Sequence, residues 1–484
     1  MVTTAHIPAG ILERAGLPAA GAESWANSAP WPEPPGSPLS EPLEAAEAAV
    51  SGFLTRGEAL LGRLPAPEAC TAGERTAREA ITGILDGARE RFLRTHAHRV
   101  YDEITGHGER RLRLEEVLRA AAERVPGLVP SAAQMDAERA RKLPGKQGAE
   151  LAQGLLFAHV LADPRTGLHL ITSMLRPLPE SLDRLEELRS AGSVDLGPAL
   201  VTRRGRAGIL ELRNPRHLNA EDGVTLGPTE QAVDLILLDP DIEVGVFRGG
   251  VVDHPRYDGE RVFGAGLNLT HLYHGRLDFL FFLLRDLGYV SKIYRGLELA
   301  PGDADRAGEA AGGSAVTATG EIEKLWIAAV ERFAIGGACQ LLHVVDHVIA
   351  TRGSRLFLPA RKEGIIPGAS NLRLPRFVGD RAARQAIISG REWTAGEADA
   401  AALVDEVVEP GEMDQALAAR IAALTSSGLV NAAANRRALR VGQEPLDVFR
   451  QYMAVFSAEQ ARCHLSPALV TNLETHWNAH RRSI

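Results

Sequence analysis

The sequence of 484 residues contains 54 Lys and Arg against 62 Asp and Glu, so its formal net charge is −8 at pH 7. This mildly acidic balance argues against a general nucleic-acid-binding protein, which usually carries a strong basic excess. Cys70, Cys339 and Cys463 are too few and too scattered for a disulfide framework or a CxxC zinc site, which indicates a reducing, cytoplasmic environment. The longest apolar run, Phe279–Leu284, is far shorter than the roughly 20 residues of a membrane helix, and no targeting segment is predicted.

Both ends of the chain are predicted to be helical, apart from a flexible N-terminal tail. Residues 1–42 are rich in Pro, Gly, Ala and Ser, a composition typical of a flexible tail. Over 43–196, apolar residues recur three and four positions apart, which predicts an all-helical N-terminal domain. Residues 426–484 return to a helical pattern and are predicted to be C-terminal helices.

Residues 197–425 are predicted to form a mixed α/β core. Runs rich in β-branched residues, bounded by Gly, Asp and Asn at 199–214 and 233–250, flank a helical stretch at 220–234, which gives a β–β–α–β order. Farther along, the pattern predicts a Gly/Ala-rich surface insertion over 300–320, a strand over 345–360 and a helix over 381–390.

Two glycine-rich segments can expose backbone N–H groups to a ligand. Residues 263–269 (FGAGLNL) form such a turn after a strand, although an ordinary turn is an equally good interpretation of this segment alone. Residues 333–340 (FAIGGACQ) place a Gly-Gly pair before an apolar stretch, 341–350, that we assign to a helix and that overlaps the strand predicted over 345–360. Together the two segments predict a two-donor oxyanion hole, and a tight loop follows at 364–369.

Five segments, in family order along the chain, resemble the crotonase (enoyl-CoA hydratase/isomerase) superfamily: 214–223, 263–269, 333–342, 364–379 and 389–407. The resemblance implies an α/β fold, a crotonase-like spiral of ββα units, to which this chain adds an all-helical N-terminal domain and a helical C-terminal extension. It also implies a homo-oligomer, a trimer or a hexamer, that holds an acyl-CoA thioester oxygen, as an enolate, between the backbone N–H groups of Leu267 and Gly337. The same segments assign substrate contacts to Ala265, Gly266, Asn268, Leu269, Ile366, Pro367 and Gly368.

Two positions depart from the hydratase pattern. Hydratases carry a Glu three residues after the oxyanion Gly and a second Glu just before the Ile-Pro-Gly loop, whereas this chain has Gln340 and Ala360. A carboxamide and a methyl group cannot exchange protons with water, so hydration is not expected. Both departures, and the N-terminal extension, resemble a branch that converts 3,5-dihydroxyphenylacetyl-CoA and O2 to 3,5-dihydroxyphenylglyoxylate and CoA in dihydroxyphenylglycine (antibiotic) biosynthesis. The resemblance implies a dioxygenase with no metal, flavin or haem cofactor.

This branch implies roles for several side chains. Ile365 and the neutral Gln340 are expected at a small apolar O2 pocket, beside an enolate that the oxyanion hole stabilises. Glu221 is expected to orient one ring hydroxyl of the substrate and Arg285 the other, although a solvated helix-start carboxylate and a surface arginine are the simpler interpretations. Weaker candidates on the substrate side are Arg295 and His254.

Two further patterns have simpler interpretations. His343 and His347 are four positions apart, a spacing that can bind a metal from one helix face, but a Val stands where a zincin carries Glu, so no metal site is predicted. CoA carries three phosphates, for which C-terminal arginines are candidates, although a solvated helix face explains any single one equally well: Arg436, Arg437, Arg440 and Arg462. The alternative functions are a thioesterase or isomerase acting on an aryl-acyl-CoA, and a non-catalytic acyl-CoA-binding subunit.

Overall fold

The computed structural model describes residues 15–17, 19–28, 42–300, 321–426 and 429–484. The chain divides into two compact units. The first unit comprises Met1–Leu170, Tyr273–Leu280 and Met453–Thr471, and the second comprises Ile171–Leu272, Phe281–Tyr452 and Asn472–Ile484. Most of the predicted tail (1–42) and all but Ala300 of the predicted insertion (300–320) lie outside the described residues.

Helices fill the N-terminal region, in agreement with the apolar spacing. The longest of them begins at a capping box, in which the Thr71 hydroxyl accepts the Glu74 N–H and the Glu74 carboxylate accepts the Thr71 N–H, and it ends at Gly106, whose φ is +59°. The helices are α1 (Ala19–Asn27), α2 (Leu43–Leu61), α3 (Ala72–Thr105), α4 (Leu114–Arg124), α5 (Ala132–Arg139), α6 (Glu150–Ala162), α7 (Pro164–Met174) and α8 (Pro179–Ala191).

Helix α1 contradicts the prediction of a flexible tail for residues 19–28. Trp25 is buried, its ring stacks on Phe53 with centroids 4.9 Å apart, and its indole N–H donates to the Phe53 carbonyl at 2.9 Å. Gly57 makes room for the indole, since a β-carbon there would lie 2.4 Å from the Trp25 ring. One aromatic anchor thus orders a stretch whose average composition resembles a linker.

The second unit is built on a seven-stranded sheet in the order β1-β2-β3-β4-β7-β9-β12. Strands β1 to β3 pair antiparallel, and all later neighbours pair parallel. Every residue of β4 and β7 is buried, as expected for central parallel strands. The strands are β1 (Ser193–Asp195), β2 (Ala199–Arg204), β3 (Ala207–Leu212), β4 (Val244–Gly249), β7 (Leu325–Val330), β9 (His347–Thr351) and β12 (Glu406–Val408).

The hairpin β2–β3, the following helix α9 (Gly223–Leu238) and the parallel strand β4 form the predicted ββα order. Two small sheets accompany the large one, and the remaining helices connect the strands. The small sheets are β11-β10-β8, made of β8 (Phe333–Ile335), β10 (Arg355–Phe357) and β11 (Glu392–Thr394), and the pair β5 (Leu297–Glu298) with β6 (Glu321–Ile322). The helices are α10 (Leu269–Tyr273), α11 (Phe279–Leu287), α12 (Tyr289–Arg295), α13 (Gly337–Leu341), α14 (Ala360–Glu363) and α15 (Ser370–Arg384).

Three boundaries differ from the sequence predictions. The run 233–250 was assigned to a strand, but its first six residues complete α9, and only Val244–Gly249 is extended. Helix α9 is buried on all sides over residues 232–238, so an apolar run there carries no periodicity that separates helix from strand. The helix predicted over 341–350 is also wrong, because α13 ends at Leu341 and β9 begins at His347. Strand β1 falls inside the range 43–196 that was predicted to be all helical.

The C-terminal segment is helical, as its pattern predicts, with α16 (Met413–Thr425), α17 (Leu429–Gln443), α18 (Leu446–His464) and α19 (Pro467–Trp477). Within the described part of the chain, no single helix is long and apolar enough to cross a membrane. By length and composition alone, the bent pair Met413–Thr425 and Val430–Gln443, broken by 91°, meets that requirement together.

Candidate active site

Backbone pairing brings the two glycine-rich segments side by side. Gly264 forms a parallel bridge with Ala334, and Leu267 forms another with Glu221. The Ile335 N–H donates to the Gly264 carbonyl at 3.1 Å, and the Glu221 N–H donates to the Gly266 carbonyl at 2.6 Å. The segments that follow β3, β4 and β8 therefore meet at one place in the unit.

Gly266 allows the closest approach between these loops. Its φ is +78°, and a β-carbon there would lie 2.6 Å from the Ile335 carbonyl oxygen and 3.0 Å from the Gly337 nitrogen. No backbone acceptor among the described residues pairs with the N–H of Leu267 or of Gly337. Both residues line the same pocket, so the structure brings together the two donors that the sequence assigned to an oxyanion hole.

The pocket combines these loops with α11, α14 and the loop 364–369. Of the residues expected at the substrate or at O2, Glu221, Arg285, Gln340 and Ile365 contribute to it. The complete lining is Glu221, Leu267, Phe281, Phe282, Arg285, Asp286, Gly336, Gly337, Gln340, Pro359, Ala360, Glu363, Ile365, Ile366, Pro367 and Gly368.

A buried ion pair forms one wall of the pocket. Arg285 Nε donates to Glu221 Oε2 at 2.6 Å and Arg285 Nη2 donates to Oε1 at 3.1 Å, so the contact is bidentate. The hydroxyl of Tyr289 also donates to Oε1. Glu221 and Arg285 are 6% and 4% exposed, which rules out the solvated-carboxylate and surface-arginine interpretations of the sequence.

Arg285 extends the network to the oxyanion loop. Its Nη1 donates to Gln340 Oε1 at 2.9 Å, and its Nη2 donates to the Gly337 carbonyl at 2.7 Å. Gly337 must lack a side chain, because a β-carbon there would lie 2.3 Å from Glu221 Oε2. The amide at position 340, where hydratases carry a carboxylate, thus accepts a hydrogen bond from a guanidinium.

The electrostatics of the pocket keep one cation in place. Burial opposes the charge of Arg285, but Glu221, Tyr289 and Asp286 together raise its pKa above the usual value. Burial raises the pKa of Asp286 and that of the Tyr289 hydroxyl. Arg285 therefore stays protonated at every accessible pH, and Tyr289 stays a neutral donor.

Three side chains of the site were missed in the sequence. Asp286 directly follows Arg285 and Tyr289 lies four positions after it, and only the tertiary contacts show that both side chains face Arg285. Glu363 lies three residues after Ala360, on the same short helix and lining the same pocket. The i, i+3 spacing from the hydratase position was the sequence signal that could have identified Glu363.

Several predicted substrate contacts have other partners. Asn268 is buried, donates to Asp222 Oδ2 at 3.1 Å and accepts the His271 N–H, so it holds the loop in place. His254 lies against the Tyr257 ring, and, like Ala265, Gly266, Asn268 and Leu269, it does not line the pocket. Ile366, Pro367 and Gly368 do line the pocket.

The structure contradicts a phosphate-binding role for Arg436. Its five N–H groups donate to Asp346, Glu323 and three backbone carbonyls at 2.7 to 3.2 Å, which uses every donor that a guanidinium has. Arg440 also pairs with Glu323. Arg295, the competitor of Arg285, pairs with Glu444 instead of lining the pocket. The more exposed Arg437 and Arg462 stay predicted phosphate contacts.

His343 and His347 do not share a helix face. His343 is buried beside the Ser370 hydroxyl at 3.2 Å, and His347 begins strand β9, near Asp405 and Glu406. Among the residues whose positions are described, no group of three or more His, Cys, Asp or Glu side chains could hold a metal ion.

Comparison with known proteins shows the family of this chain. The family model described as enoyl-CoA hydratase/isomerase matches residues 307–457. The (3,5-dihydroxyphenyl)acetyl-CoA 1,2-dioxygenase of Amycolatopsis orientalis is 46% identical over 414 residues, which cover 85% of this chain and 92% of that protein. The chain belongs to the crotonase (enoyl-CoA hydratase/isomerase) family. This confirms the family resemblance predicted from the five segments.

Other relatives share less of the chain. A probable enoyl-CoA hydratase of Rhizobium meliloti is 29% identical over 222 residues, 46% of this chain and 72% of that protein. The crystal structure of an enoyl-CoA hydratase from Mycobacterium avium subsp. paratuberculosis is 18% identical, with a TM-score of 0.46, and covers 60% of this chain and 99% of that one. Residues 197–484 number fewer than 414, so the match to the Amycolatopsis enzyme extends into the N-terminal helical region of this crotonase-family chain.

Proposed function

We propose that this chain is a dioxygenase that converts 3,5-dihydroxyphenylacetyl-CoA and O2 to 3,5-dihydroxyphenylglyoxylate and CoA, without a metal or an organic cofactor. The observation that carries the proposal is the 46% identity over 414 residues to an enzyme named for this substrate and reaction. The pocket chemistry supports the proposal. Positions 340 and 360, which carry glutamates in hydratases, both line the pocket and hold an amide and a methyl group here.

The reaction starts with an enolate. The α protons of an arylacetyl thioester are acidic. Two N–H donors at the thioester oxygen, from Leu267 and Gly337, lower the energy of the enolate that forms when an α proton is removed. Each such donor is worth about 2.7–4 kcal/mol in the transition state. Arg285 donates to the Gly337 carbonyl and so helps to fix the residue that supplies the second donor.

The enolate then supplies the electrons for O2. An enolate conjugated to an electron-rich dihydroxyphenyl ring reduces O2 and forms a peroxide at the α-carbon. The peroxide closes on the thioester carbonyl and expels CoA, and cleavage of the O–O bond with loss of the second α proton leaves the aryl glyoxylate. Ile365 and Gln340 line the same pocket as Leu267 and Gly337, and neither side chain would place an anion beside the enolate.

The ring end of the substrate is assigned to the buried pair. Glu221 and Arg285 carry opposite charges on the pocket wall, and a phenolic hydroxyl can donate to the carboxylate or accept from the guanidinium. A site built to hydrogen-bond hydroxyls discriminates strongly against an analogue that lacks them, because its buried polar groups are then left unpaired.

One experiment tests the reaction. Protein treated exhaustively with a chelator, and shown to be metal-free by elemental analysis, is assayed for O2 consumption and for free CoA. We expect one O2 consumed per CoA released in air, and little CoA released under strict anaerobiosis. Full-rate release without O2 would instead identify a thioesterase, and activity that disappears with the metal and returns with iron or copper would identify a metal-dependent oxygenase.

The cellular setting is part of the proposal. Family membership supports a homo-oligomer, a trimer or hexamer, and the reaction fits the supply of an arylglycine precursor for antibiotic biosynthesis. The three cysteines are free, two of them buried, which is compatible with a cytoplasmic enzyme.

A further inference from the structure

Removal of the α proton is the step of the proposed reaction that still lacks a side chain. The α C–H bond must break before O2 reacts, and the oxyanion hole stabilises the product anion without taking the proton. Of the described residues that line the pocket, those with ionisable side chains are Glu221, Arg285, Asp286 and Glu363.

Two of the three carboxylates are already engaged. Glu221 accepts two hydrogen bonds from Arg285 and one from Tyr289. Asp286 lies 3.6 Å from Arg285, and the Gly368 backbone covers it, since a β-carbon at Gly368 would lie 2.7 Å from Asp286 Oδ2. A carboxylate whose oxygens already contact a guanidinium or are covered by backbone is less accessible to a substrate proton than an unpaired one.

Glu363 differs from both. Among the described residues, no hydrogen-bond donor or cation pairs with its carboxylate. The side chain is half-buried and lines the same pocket as Leu267 and Gly337. It is thus the one lining carboxylate in the described part of the chain that is free to take a proton.

The backbone around Glu363 ties it to the oxyanion loop. The Gly336 N–H donates to the Phe357 carbonyl, the last residue of β10, at 2.9 Å, and Pro359 lies 3.7 Å from the place of a β-carbon on Gly336. Helix α14 starts directly after this strand and ends at Gly364, whose φ of +84° turns the chain away after Glu363. The segment that carries Glu363 is therefore hydrogen-bonded, at its start, to the loop that carries the Gly337 donor.

We propose that Glu363 is the catalytic base of this enzyme, an inference that rests on the proposed function. The α C–H bond breaks, the proton moves to the Glu363 carboxylate, and the electron pair stays in the enolate, whose oxygen is held by Leu267 and Gly337. The same proton is then available to the CoA thiolate that leaves when the peroxide closes on the carbonyl.

The electrostatic surroundings suit this role. Burial raises the pKa of Glu363 to about 7, close to the value at which a carboxylate both exists as a base at neutral pH and binds a proton well. Charged groups facing the pocket are Glu221, Arg285 and Asp286, and Arg361 and Lys362 on the same helix are exposed. The turn Gln385–Ser389, which packs against α14, carries no titratable side chain.

The test compares Glu363→Gln, Glu363→Asp and Asp286→Asn with the wild type, using 3,5-dihydroxyphenylacetyl-CoA and its α,α-dideuterated form. Glu397→Gln is the matched control, since Glu397 is an exposed carboxylate outside the pocket. We expect Glu363→Gln to lower kcat for O2 consumption by about 10²–10⁴-fold and to raise the deuterium isotope effect above the wild-type value. Glu363→Asp should recover part of kcat, and the control should behave as the wild type.

Binding of a non-hydrolysable thioether analogue separates chemistry from structure, and its Kd should be the same for Glu363→Gln and the wild type. The proposal is overturned if Glu363→Gln keeps kcat within about threefold of the wild type. It is also overturned if kcat falls without a rise in the isotope effect, or if Asp286→Asn shows the rise instead. Failure of the proposed function is distinct, because the wild type itself would then consume no O2.

Discussion

Glu221 shows how neighbouring side chains can compensate a buried carboxylate. Its carboxylate is buried with the guanidinium of Arg285, and the pair is satisfied by Tyr289, Gln340 and the Gly337 carbonyl. A buried pair gains little net stability, but removal of one partner leaves an uncompensated charge. Retention of such a pair on a pocket wall is therefore easier to explain by a ligand than by folding.

Truncation of Glu221 should reveal its role at the ring. We expect Glu221→Ala to lower kcat/KM for the dihydroxy substrate more than kcat/KM for phenylacetyl-CoA, because the ring hydroxyl loses its partner. The difference should be roughly 5- to 150-fold, which corresponds to about 1–3 kcal/mol. Steady-state O2 consumption with the two thioesters measures the difference. Tyr289→Phe removes one hydroxyl and no charge and serves as the comparison. Equal losses on both thioesters would show that Glu221 does not face the ring.

At the level of secondary-structure elements, the oxyanion hole depends on two irregular loops held by bridges. A side chain on Gly266 would press against the Gly337 nitrogen, and a side chain on Gly337 would collide with the Glu221 carboxylate. Helix α13, which follows Gly337, has only five residues, so the loop geometry comes from the bridges between 264 and 334 and between 221 and 267.

Substitutions in these loops should separate backbone from side-chain effects. We expect Gly337→Pro to lose about 2.7–4 kcal/mol of transition-state stabilisation, at least 100-fold in kcat, because the N–H itself disappears. Leu267→Ala keeps its N–H and should retain measurable activity. The rate of CoA release, with circular dichroism to confirm folding, checks both variants. A folded Gly337→Pro enzyme near the wild-type rate would remove this site from the mechanism.

For the molecule as a whole, Arg436 joins distant parts of the second unit. It connects α17 to Glu323 and Lys324 before β7, to Ile293 in α12, and to Val344 and Asp346 before β9. Loss of this guanidinium leaves two carboxylates and three carbonyls with one partner fewer in a buried place, which penalises the folded state.

Replacement of Arg436 should act on stability and not on CoA. We expect Arg436→Ala to lower the free energy of unfolding by about 3–5 kcal/mol, as for a broken buried ion pair, while the Kd for CoA at a temperature where the protein is folded stays unchanged. Arg437→Ala, which loses one partly exposed contact at 3.7 Å, should change the melting temperature little. Chemical denaturation and calorimetric CoA titration measure the two quantities. A large increase in the CoA Kd with unchanged stability would restore the phosphate-binding interpretation of Arg436.

Much of this organisation was predictable from local patterns in the sequence. Helical spacing over 43–196, the β2–β3 hairpin and the two glycine segments are short-range features, since each depends on residues a few positions apart. The order of the five family segments was enough to place Leu267, Gly337, Gln340 and Ile365 at one pocket, where the structure has them. Composition failed for α1, because a single Trp25 contact with Phe53 outweighed the average character of its stretch.

The remaining features required the tertiary structure, because they depend on contacts between residues far apart in the chain. The apolar run 233–238 is compatible with either a strand or a helix, and only the fold shows that it belongs to a helix buried on all sides. Arg285 and Arg436 look alike in sequence, yet Arg285 lines a pocket, whereas all five N–H groups of Arg436 bind partners 90 to 143 positions away. Glu363 acquires its altered proton affinity from burial, a property of the folded pocket that no local sequence pattern encodes.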